Sequence, residues 1–335
     1  MSLAALKQEY LPLIETGMRD FLDAQSFGSS TLLKEMLAYH LGWMDGSRGK
    51  RIRPLITLLC TGALGAPAKN ALPAAISIEF LHNFTLIHDD IEDQSPTRHG
   101  RPTVWQKWGQ AQAINAGDAL FSIAQLAMLD LARTCSKDTA AEAANLLNQT
   151  CLHLMRGQYL DMAFESAGEI ELETYLEMIE GKTAALLALS AAVAGLIADR
   201  KRAINNLSDF GNNLGMAFQI KDDILGIWGN PDLTGKSTAS DLHSKKKTLP
   251  ILYGLKHSTD FRTLWAEDDL SSAQIESMAE ILSAGGAKEY AGTLAETYTI
   301  RSRQTLTELA HDPAARNDHA DALLELSEML LDREV

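Results

Sequence analysis

The stretch TLIHDDIEDQSPTRHGRPTVW (Thr85–Trp105) places four acidic side chains directly after an apolar run. On a helix, Asp89 and Asp93 are four residues apart and share a face, with about 5–6 Å between their Cβ atoms. Carboxylates at that spacing suit Mg²⁺, which binds a few carboxylates, keeps several waters and completes its shell with phosphate oxygens. For this stretch alone, a solvated acidic helix end also explains the pattern.

A second acidic pair follows another apolar helical run, in MAFQIKDDILG (Met216–Gly226). Asp222 and Asp223 come at the end of this run, and Gln219 lies one helical turn before Asp223. Because the same arrangement occurs twice, the two acidic ends are predicted to serve one metal-dependent function.

Basic residues form three clusters on an otherwise acidic chain. The chain has 335 residues and a net charge of −14, which disfavours nucleic acid as a partner because phosphate backbones require Lys and Arg surfaces. A Mg²⁺-bound diphosphate still carries negative charge, so clustered cations predict the other half of a diphosphate site. The clusters are GKRIRP (Gly49–Pro54), RHGR (Arg98–Arg101) and HSKKK (His243–Lys247).

Helical spacing dominates the sequence. Residues 116–132 are nearly all apolar and are predicted to form a buried helix, and residues 173–198 are predicted to be helical with an interruption at Gly181 and Lys182. No segment alternates as a strand does, so the predicted fold is all-α, a single large helical domain over residues 1–335. The first amphipathic face is marked by Leu3, Leu6, Tyr10, Leu13 and Ile14.

Loops are predicted at residues 94–103, 228–250 and 311–321, where Pro, Gly, Asn, Asp and Ser concentrate. Three cysteines, an odd number without metal-ligand spacing, indicate a reducing compartment. The N-terminus lacks the basic start and apolar core of a secretory signal, and no run approaches about 18 uninterrupted apolar residues. These features predict a cytoplasmic protein without a transmembrane segment.

Six motifs together make the chain resemble the trans-isoprenyl diphosphate synthases, the head-to-tail prenyltransferases, over nearly its whole length. The resemblance implies the all-α isoprenoid synthase fold, with antiparallel helices around a central cavity, and a homodimer. It also implies isopentenyl diphosphate and an allylic diphosphate as substrates, with three Mg²⁺ ions as cofactor. In the family's order, the motifs are GKRIRP (Gly49–Pro54), HDDIED with RHGRPTVW (His88–Trp105), GQYLD (Gly157–Asp161), GKT (Gly181–Thr183), FQIKDD (Phe218–Asp223) and GKSTASDLHSKKKTLP (Gly235–Pro250).

The resemblance also implies roles for individual residues. The acidic, metal-binding set is Asp89, Asp90, Asp93, Asp222 and Asp223, of which Asp89, Asp93 and Asp222 are the expected direct ligands. The allylic diphosphate would be bound by Arg98, Lys182, Gln219, Lys236 and Lys246. The diphosphate of isopentenyl diphosphate would be bound by Lys50, Arg53, His82 and, at a position that is usually arginine, His99. The catalytic group would be Lys182, Thr183 and Gln219, supported by Gln158 and Asp161.

Two positions depart from the family pattern. His99 replaces the second arginine after the first acidic motif, which predicts a weaker hold on isopentenyl diphosphate unless Arg101 compensates. Gly226 stands where a third Asp is common, which predicts less negative charge near the metal ions.

Product length in this family depends on the residues just before the first acidic motif, here Phe84 and Thr85. A large aromatic residue at the fifth position before Asp89 resembles a geranylgeranyl diphosphate synthase. Farnesyl and geranylfarnesyl diphosphate remain alternative products. Taken singly, Phe84 and His82 are also explained as core residues, Lys182 as a surface lysine, and residues 245–247 as a solvated charge run.

Two other functions fit part of the pattern. A class I terpene cyclase or squalene-type synthase also carries an acidic motif such as DDIED, but it has no use for the second diphosphate pocket that GKRIRP and His82 indicate. A noncatalytic synthase subunit commonly loses its acidic motifs, whereas both acidic pairs are intact here.

Overall fold

The structure, a computed structural model, describes residues 1–44, 46, 49–230, 239–310 and 317–332. These residues form helices and one very short hairpin, so the all-α prediction is confirmed. The chain divides into two compact units, and the prediction of a single domain over residues 1–335 stays a prediction. Unit 1 comprises Met1–Gln149, Leu189–Asn205 and Ala310–Leu323, and unit 2 comprises Thr150–Ala188, Asn206–Leu309 and Leu324–Val335.

The elements of the first half of the chain belong mainly to unit 1, and the last helix among them continues into unit 2. They are α1 (Leu3–Asp23), α2 (Thr31–His40), α3 (Ile52–Ala63), a 3₁₀ turn (Ala68–Ala71), α4 (Leu72–Glu92), β1 (Thr97–Arg98), β2 (Arg101–Pro102), α5 (Val104–Trp108), α6 (Gln110–Leu129), a 3₁₀ turn (Asp130–Arg133) and α7 (Lys137–Ser166).

The second half begins with three helical segments that follow one another directly. The elements are α8 (Leu172–Ile179), a π-helical turn (Glu180–Ala184), α9 (Ala185–Ile197), α10 (Ala203–Trp228), α11 (Ser240–His243), α12 (Leu249–His257), α13 (Thr259–Trp265), α14 (Ser272–Ala284), α15 (Ala287–Ala310) and α16 (Asn317–Leu331). The predicted helix at residues 173–198 is confirmed, and its interruption at Gly181 and Lys182 is the π-helical turn.

The first helix of unit 1 shows how the apolar pattern forms the core. It begins at Ser2, whose side chain accepts a hydrogen bond from the backbone N–H of Ala5 at 3.3 Å. The face predicted from the sequence is buried, except that Leu13 is half-buried. The buried residues are Leu3, Leu6, Tyr10, Ile14, Met18 and Leu22.

Helices α4 and α6 run antiparallel and lie very close together. Near the start of α4, Ser77 donates a hydrogen bond to the carbonyl of Ala124 at 2.7 Å. Near its end, a Cβ added to Gly117 would stand 2.2 Å from the imidazole of His88. Small residues on α6 therefore fix the end of α4, which carries the first acidic motif.

The prediction that residues 116–132 are buried is only partly right. The side chains of Leu126 and Leu129 are each 50% exposed, and α6 ends at Leu129. Only one face of α6 is buried, so composition alone overestimated how much of this helix is buried.

The loop predictions also need correction. Residues 94–103 contain the β1–β2 hairpin, residues 240–243 form α11, and α12 starts at Leu249. Residues 231–238 and 311–316 lie outside the described part of the chain. The described end of the third predicted loop is helical, because α16 begins at Asn317.

One helical stretch, Leu172–Ile197, is long and apolar enough to cross a membrane. In its most apolar window, 83% of the residues are buried inside the fold. It is therefore explained as a core helix, and apart from it no described helix passes the same test of length and apolarity.

Candidate active-site residues

The first acidic motif occupies the last turn of α4 in unit 1. Asp93 is the residue that ends this helix, and its backbone N–H donates to the carbonyl of Asp89 at 2.8 Å. The side chain of Asp89 is half-buried and that of Asp93 is exposed. The two carboxylates therefore lie one turn apart and reach solvent, as the spacing predicts.

Asp90 points the other way. Its side chain is 2% exposed, and its Oδ1 accepts a hydrogen bond from Nε of Arg98 at 2.9 Å and forms an ion pair with Nη2 of Arg98, also at 2.9 Å. Burial raises the pKa of Asp90 above its ordinary value, although Arg98 acts to lower it. Asp90 thus holds Arg98 in place, and its role as a metal ligand stays a prediction.

Three of the basic residues predicted to bind diphosphate come together in unit 1. Arg53 and Arg98 supply the charge of this cationic cluster, and His82 and His40, a residue that sequence reasoning missed, lie with them as neutral imidazoles because their pKa values are lowered. Burial, followed by the charges of Arg53 and Arg98, lowers the pKa of His82 well below its ordinary value. In Arg53 the Nε atom is buried without a hydrogen-bond partner among the described residues.

Arg51, inside the same motif as Arg53, has a structural role. Its guanidinium donates to Glu15 at 2.6 Å, to Glu79 at 2.9 Å and to the carbonyl of Leu41 at 3.0 Å. Two carboxylates and a carbonyl thus pair with the buried guanidinium, which fixes the start of α3 in the motif that also carries Arg53. Lys50 lies exposed just before this helix.

His99, the first position that departs from the family pattern, lies in the turn of the β1–β2 hairpin. His99 and Gly100 form the turn between β1 and β2 with φ of +51° and +74°, and the side chain of His99 is exposed. Histidine tolerates this left-handed region better than most residues. Arg101 stacks on the ring of Tyr39 at 4.8 Å and donates to the Tyr39 carbonyl at 3.2 Å, and its charge also acts on His40.

Phe84 and Thr85 lie on α4 about one turn before the acidic motif. The ring of Phe84 is 8% exposed and contacts the rings of His88, at 4.8 Å between centroids, and Phe121, at 5.2 Å. The hydroxyl of Thr85 donates to the carbonyl of His82 at 2.8 Å. Phe84 therefore forms an aromatic group with residues of α4 and α6.

In unit 2, the π-helical turn carries Lys182 and Thr183. Two glycines allow neighbouring helices to approach this turn closely. A Cβ added to Gly157 of α7 would stand 2.2 Å from the backbone nitrogen of Lys182, and one added to Gly215 of α10 would stand 2.4 Å from Cα of Ala184. The turn is thus fixed between two helices, and π-helical turns are frequent at functional sites.

Lys182 forms an ion pair with Asp161 of α7, and the side chains of both residues are mostly buried. Burial alone would raise the pKa of Asp161, but Lys246 and Lys182 hold it below its ordinary value. Two of the predicted cationic residues therefore lie around one carboxylate.

Asp223 is the centre of a hydrogen-bond network in unit 2. Its carboxylate is 3% exposed and accepts hydrogen bonds from the hydroxyl of Tyr175, from Nε2 of Gln219 at 3.1 Å and from the backbone N–H of Leu249 at 3.2 Å. Burial raises the pKa of Asp223 to about 7 against these three hydrogen bonds. Asp222, one residue earlier on α10, is half-buried.

Gly226 is not simply a missing acid. A Cβ built there would stand 2.1 Å from Oδ2 of Asp241, so the carboxylate of Asp241 occupies the place of a side chain at residue 226. The expectation of less negative charge near the metal ions stays a prediction, and α11 places the Asp241 carboxylate against the same stretch of α10.

The three consecutive lysines differ in role. Lys245 donates to the carbonyls of Trp265 and Glu267, at the end of α13. Lys247 donates to the carbonyls of Phe164, at 2.7 Å, and of Ala167, at the end of α7. Both lysines thus donate to carbonyls at or just beyond helix C-termini, which a sequence pattern does not reveal. Lys246 is exposed, and Lys236 lies outside the described residues.

The acidic residues fit Mg²⁺. Asp89, Asp93 and Asp222 offer hard carboxylate oxygens that are not fully buried, which is the donor type that Mg²⁺ prefers. Among the described residues, no three His, Cys, Asp or Glu side chains gather closely enough to hold a metal by themselves. Carboxylates that reach solvent in this way suit an ion that keeps waters and shares the oxygens of a phosphate.

Comparison with known proteins identifies the family of this chain. Residues 30–283 match the polyprenyl synthetase family. The (2E,6E)-farnesyl diphosphate synthase of Mycobacterium tuberculosis (strain ATCC 25618 / H37Rv) is 39% identical over 285 residues, which cover 80% of this chain and 78% of that protein. The geranylgeranyl diphosphate synthase of the same strain is 40% identical over 239 residues, which cover 69% and 67%.

A solved structure shows the same fold. The geranylgeranyl pyrophosphate synthetase of Pyrococcus horikoshii Ot3 superposes with a TM-score of 0.87 and 31% identity, covering 99% of this chain and 98% of that one. The chain therefore belongs to the polyprenyl synthetase family and has the all-α isoprenoid synthase fold. Family and relatives together make it a trans-prenyltransferase.

Proposed function

We propose that the protein condenses isopentenyl diphosphate head to tail with an allylic diphosphate, uses Mg²⁺, and makes geranylgeranyl diphosphate. The cationic cluster of unit 1 carries the proposal. Arg53 has a buried nitrogen without a described partner, next to His82 and Arg98. Such donors suit the second diphosphate of a condensation. A cyclase takes only one prenyl diphosphate and would not need them.

The reaction has two demands that charged residues can meet. The allylic C–O bond breaks, the diphosphate takes the electron pair, and an allylic cation remains. The double bond of isopentenyl diphosphate then forms the new C–C bond, and a proton passes to the departing diphosphate. Positive charge must therefore stabilise the leaving group, and the second substrate must be held in a reactive orientation.

Different residues of the proposed site meet these two demands. Lys182 and Lys246, together with Lys236 and Arg98, stabilise the negative charge that develops on the allylic diphosphate. Three Mg²⁺ ions bound by Asp89, Asp93 and Asp222 would supply further Lewis-acid stabilisation to that diphosphate. Arg53, His82, Lys50 and His99 hold the diphosphate of isopentenyl diphosphate. Thr183 and Gln219 keep the π-helical turn and α10 in register, since the Thr183 hydroxyl donates to Gln219 Oε1 at 2.8 Å.

The proposed product length rests on Phe84. Its ring is buried against Phe121 and His88, one turn before Asp89. An allylic chain that grows away from a diphosphate at the acidic motif would meet this aromatic group. The relatives named above include both a farnesyl and a geranylgeranyl diphosphate synthase, so the length needs its own test.

Phe84→Ala should lengthen the product by at least one five-carbon unit, because it removes the ring that would stop the chain. Product analysis with farnesyl diphosphate as primer measures this. Phe261→Leu is the control: it trims a fully buried ring of unit 2 and should lower stability without changing product length. An unchanged product distribution in Phe84→Ala would show that other residues set the length.

A homodimer is part of the proposal. Four apolar residues of α7 are exposed at intervals of three and four, which makes one stripe along the helix. A second copy of the chain is the proposed cover for this stripe, and sedimentation velocity should show a mass twice that of the chain. A monomer at micromolar concentration would contradict it. The stripe is Leu152 (66% exposed), Met155 (42%), Tyr159 (71%) and Met162 (45%).

A cytoplasmic location is also proposed. All three cysteines, Cys60, Cys135 and Cys151, are free thiols, and Cys60 and Cys151 are buried. Unpaired thiols fit a reducing compartment.

The function is tested by product analysis. Purified protein is incubated with Mg²⁺, labelled isopentenyl diphosphate and, separately, dimethylallyl, geranyl or farnesyl diphosphate, and the products are dephosphorylated and separated. Geranylgeraniol as the longest alcohol is the expected result. A prenol of another length would support the condensation reaction and contradict the proposed product length. No elongation with any primer would overturn the proposal and would favour a noncatalytic subunit.

A further inference from the structure

A single buried hydroxyl connects the parts of unit 2 that carry the predicted catalytic residues. Tyr175 lies on α8 with 1% of its surface exposed, and its hydroxyl donates to Oδ2 of Asp223. Burial and the neighbouring Asp223 carboxylate raise the pKa of Tyr175 well above its ordinary value, so the phenol stays a donor. No motif includes this tyrosine, which lies seven residues, about two helical turns, before Lys182.

The carboxylate that Tyr175 contacts holds two other elements. Oδ1 of Asp223 accepts from Nε2 of Gln219 at 3.1 Å, on the same helix. Oδ2 of Asp223 accepts from the backbone N–H of Leu249 at 3.2 Å, at the start of α12. Lys246 lies only three residues before Leu249, so the position of this segment depends on Asp223.

The network continues into the π-helical turn. Oε1 of Gln219 accepts a hydrogen bond from the hydroxyl of Thr183 at 2.8 Å. The side-chain amide of Gln219 therefore has one defined orientation, with its nitrogen toward Asp223 and its oxygen toward Thr183. Thr183 follows Lys182, so the chain of hydrogen bonds from Tyr175 ends beside the lysine that pairs with Asp161.

We infer that Tyr175 is a positioning residue for the prenyltransferase reaction, acting through Asp223 to orient Gln219, the Lys182 turn and the Lys246 segment. The ring of Tyr175 packs in the apolar core of unit 2 with residues such as Met178 and Ile224. Phenylalanine would keep that packing and remove only the hydroxyl. The inference rests on the proposed function.

The test compares Tyr175→Phe with Tyr10→Phe. Tyr10 is also a buried tyrosine, and its hydroxyl lies 2.8 Å from Nε2 of His319 in unit 1. Both variants lose one buried hydroxyl and should show similar losses of thermal stability. Only Tyr175→Phe should lower kcat, by about 10–100-fold, which is the usual effect of removing a group that orients a ligand-binding residue. The KM for isopentenyl diphosphate should change by less than about twofold.

A double-mutant comparison tests whether the effect passes through Asp223. In an Asp223→Asn background, Tyr175→Phe should lower kcat further by less than about threefold, because the acceptor it orients is already altered. An equally large loss in both backgrounds would overturn the inference. So would a Tyr175→Phe enzyme with kcat within twofold of the unchanged protein.

The outcomes are separable from those of the proposed function. If the unchanged protein elongates no primer, the proposed function fails before any variant is made. If Tyr175→Phe does not fold, Thr183→Val removes a donor at the opposite end of the same network. That variant should then lower kcat by a similar factor, and full activity would overturn the inference.

Discussion

Lys182→Met is expected to lower kcat for condensation by about 10²–10³-fold, the usual loss when one preorganised group that stabilises developing charge is removed. Methionine keeps the length of the side chain but removes the charge from beside Asp161. The KM for isopentenyl diphosphate should change little, because the residues proposed to bind that substrate lie in unit 1. Steady-state kinetics with each substrate varied in turn measures both constants.

Lys201→Met is the matched control for this variant. Lys201 forms an exposed ion pair with Glu142 at 2.8 Å in unit 1 and has no proposed part in the reaction. Its loss should leave kcat unchanged, because the pair is exposed to solvent and contributes little to stability. If Lys182→Met kept more than a third of the original kcat, the role assigned to this lysine would be wrong.

The helical part of the fold was predictable because it depends on local periodicity. The buried face of α1 and the interrupted helix around Gly181 and Lys182 followed from spacing alone. Burial on a single long helix was less predictable. Leu126 and Leu129 are as apolar as their neighbours, yet half of each is exposed, because the partner of α6 covers only one side.

Within the acidic motifs, the position of each residue around the helix explains which acidic side chains reach solvent and which are buried. Asp89 and Asp93 lie one turn apart and both reach solvent, whereas Asp90 is rotated by about 100° and pairs with Arg98. The second pair behaves alike: Asp222 is half-buried, and Asp223 is buried against Tyr175. Neighbouring acidic residues therefore have different surroundings, although they are the same residue type in the sequence.

Long-range contacts account for the features that the sequence did not predict. Asp241 fills the place beside Gly226, fifteen residues away in sequence, and Lys245 and Lys247 cap helices that end far from them along the chain. Such contacts are fixed only when distant elements pack together. The spacing of residues within a motif does not predict these contacts.

Close packing around the Lys182 turn leads to the last expected result: Gly157→Ala should both destabilise the protein and reduce catalysis. A Cβ at this position would stand 2.2 Å from the backbone nitrogen of Lys182 and 2.6 Å from the carbonyl carbon of Gly181. Backbone atoms cannot rotate away, so α7 or the π-helical turn must move. Overpacking of this kind costs about 1–3 kcal/mol of unfolding free energy.

Gly292→Ala separates that clash from the general effect of adding a methyl group to a helix. Gly292 lies inside α15, and no atom stands within 4 Å of an added Cβ. Alanine should therefore stabilise that helix by about 0.5–1 kcal/mol and leave kcat unchanged. Urea unfolding and kinetics below the transition of each variant measure the two effects. Equal stability and activity in the two variants would mean that the approach of α7 to the turn is looser than the backbone distances imply. A stable Gly157→Ala protein with low kcat would instead show that the exact position of the Lys182 turn matters more to the reaction than to the fold.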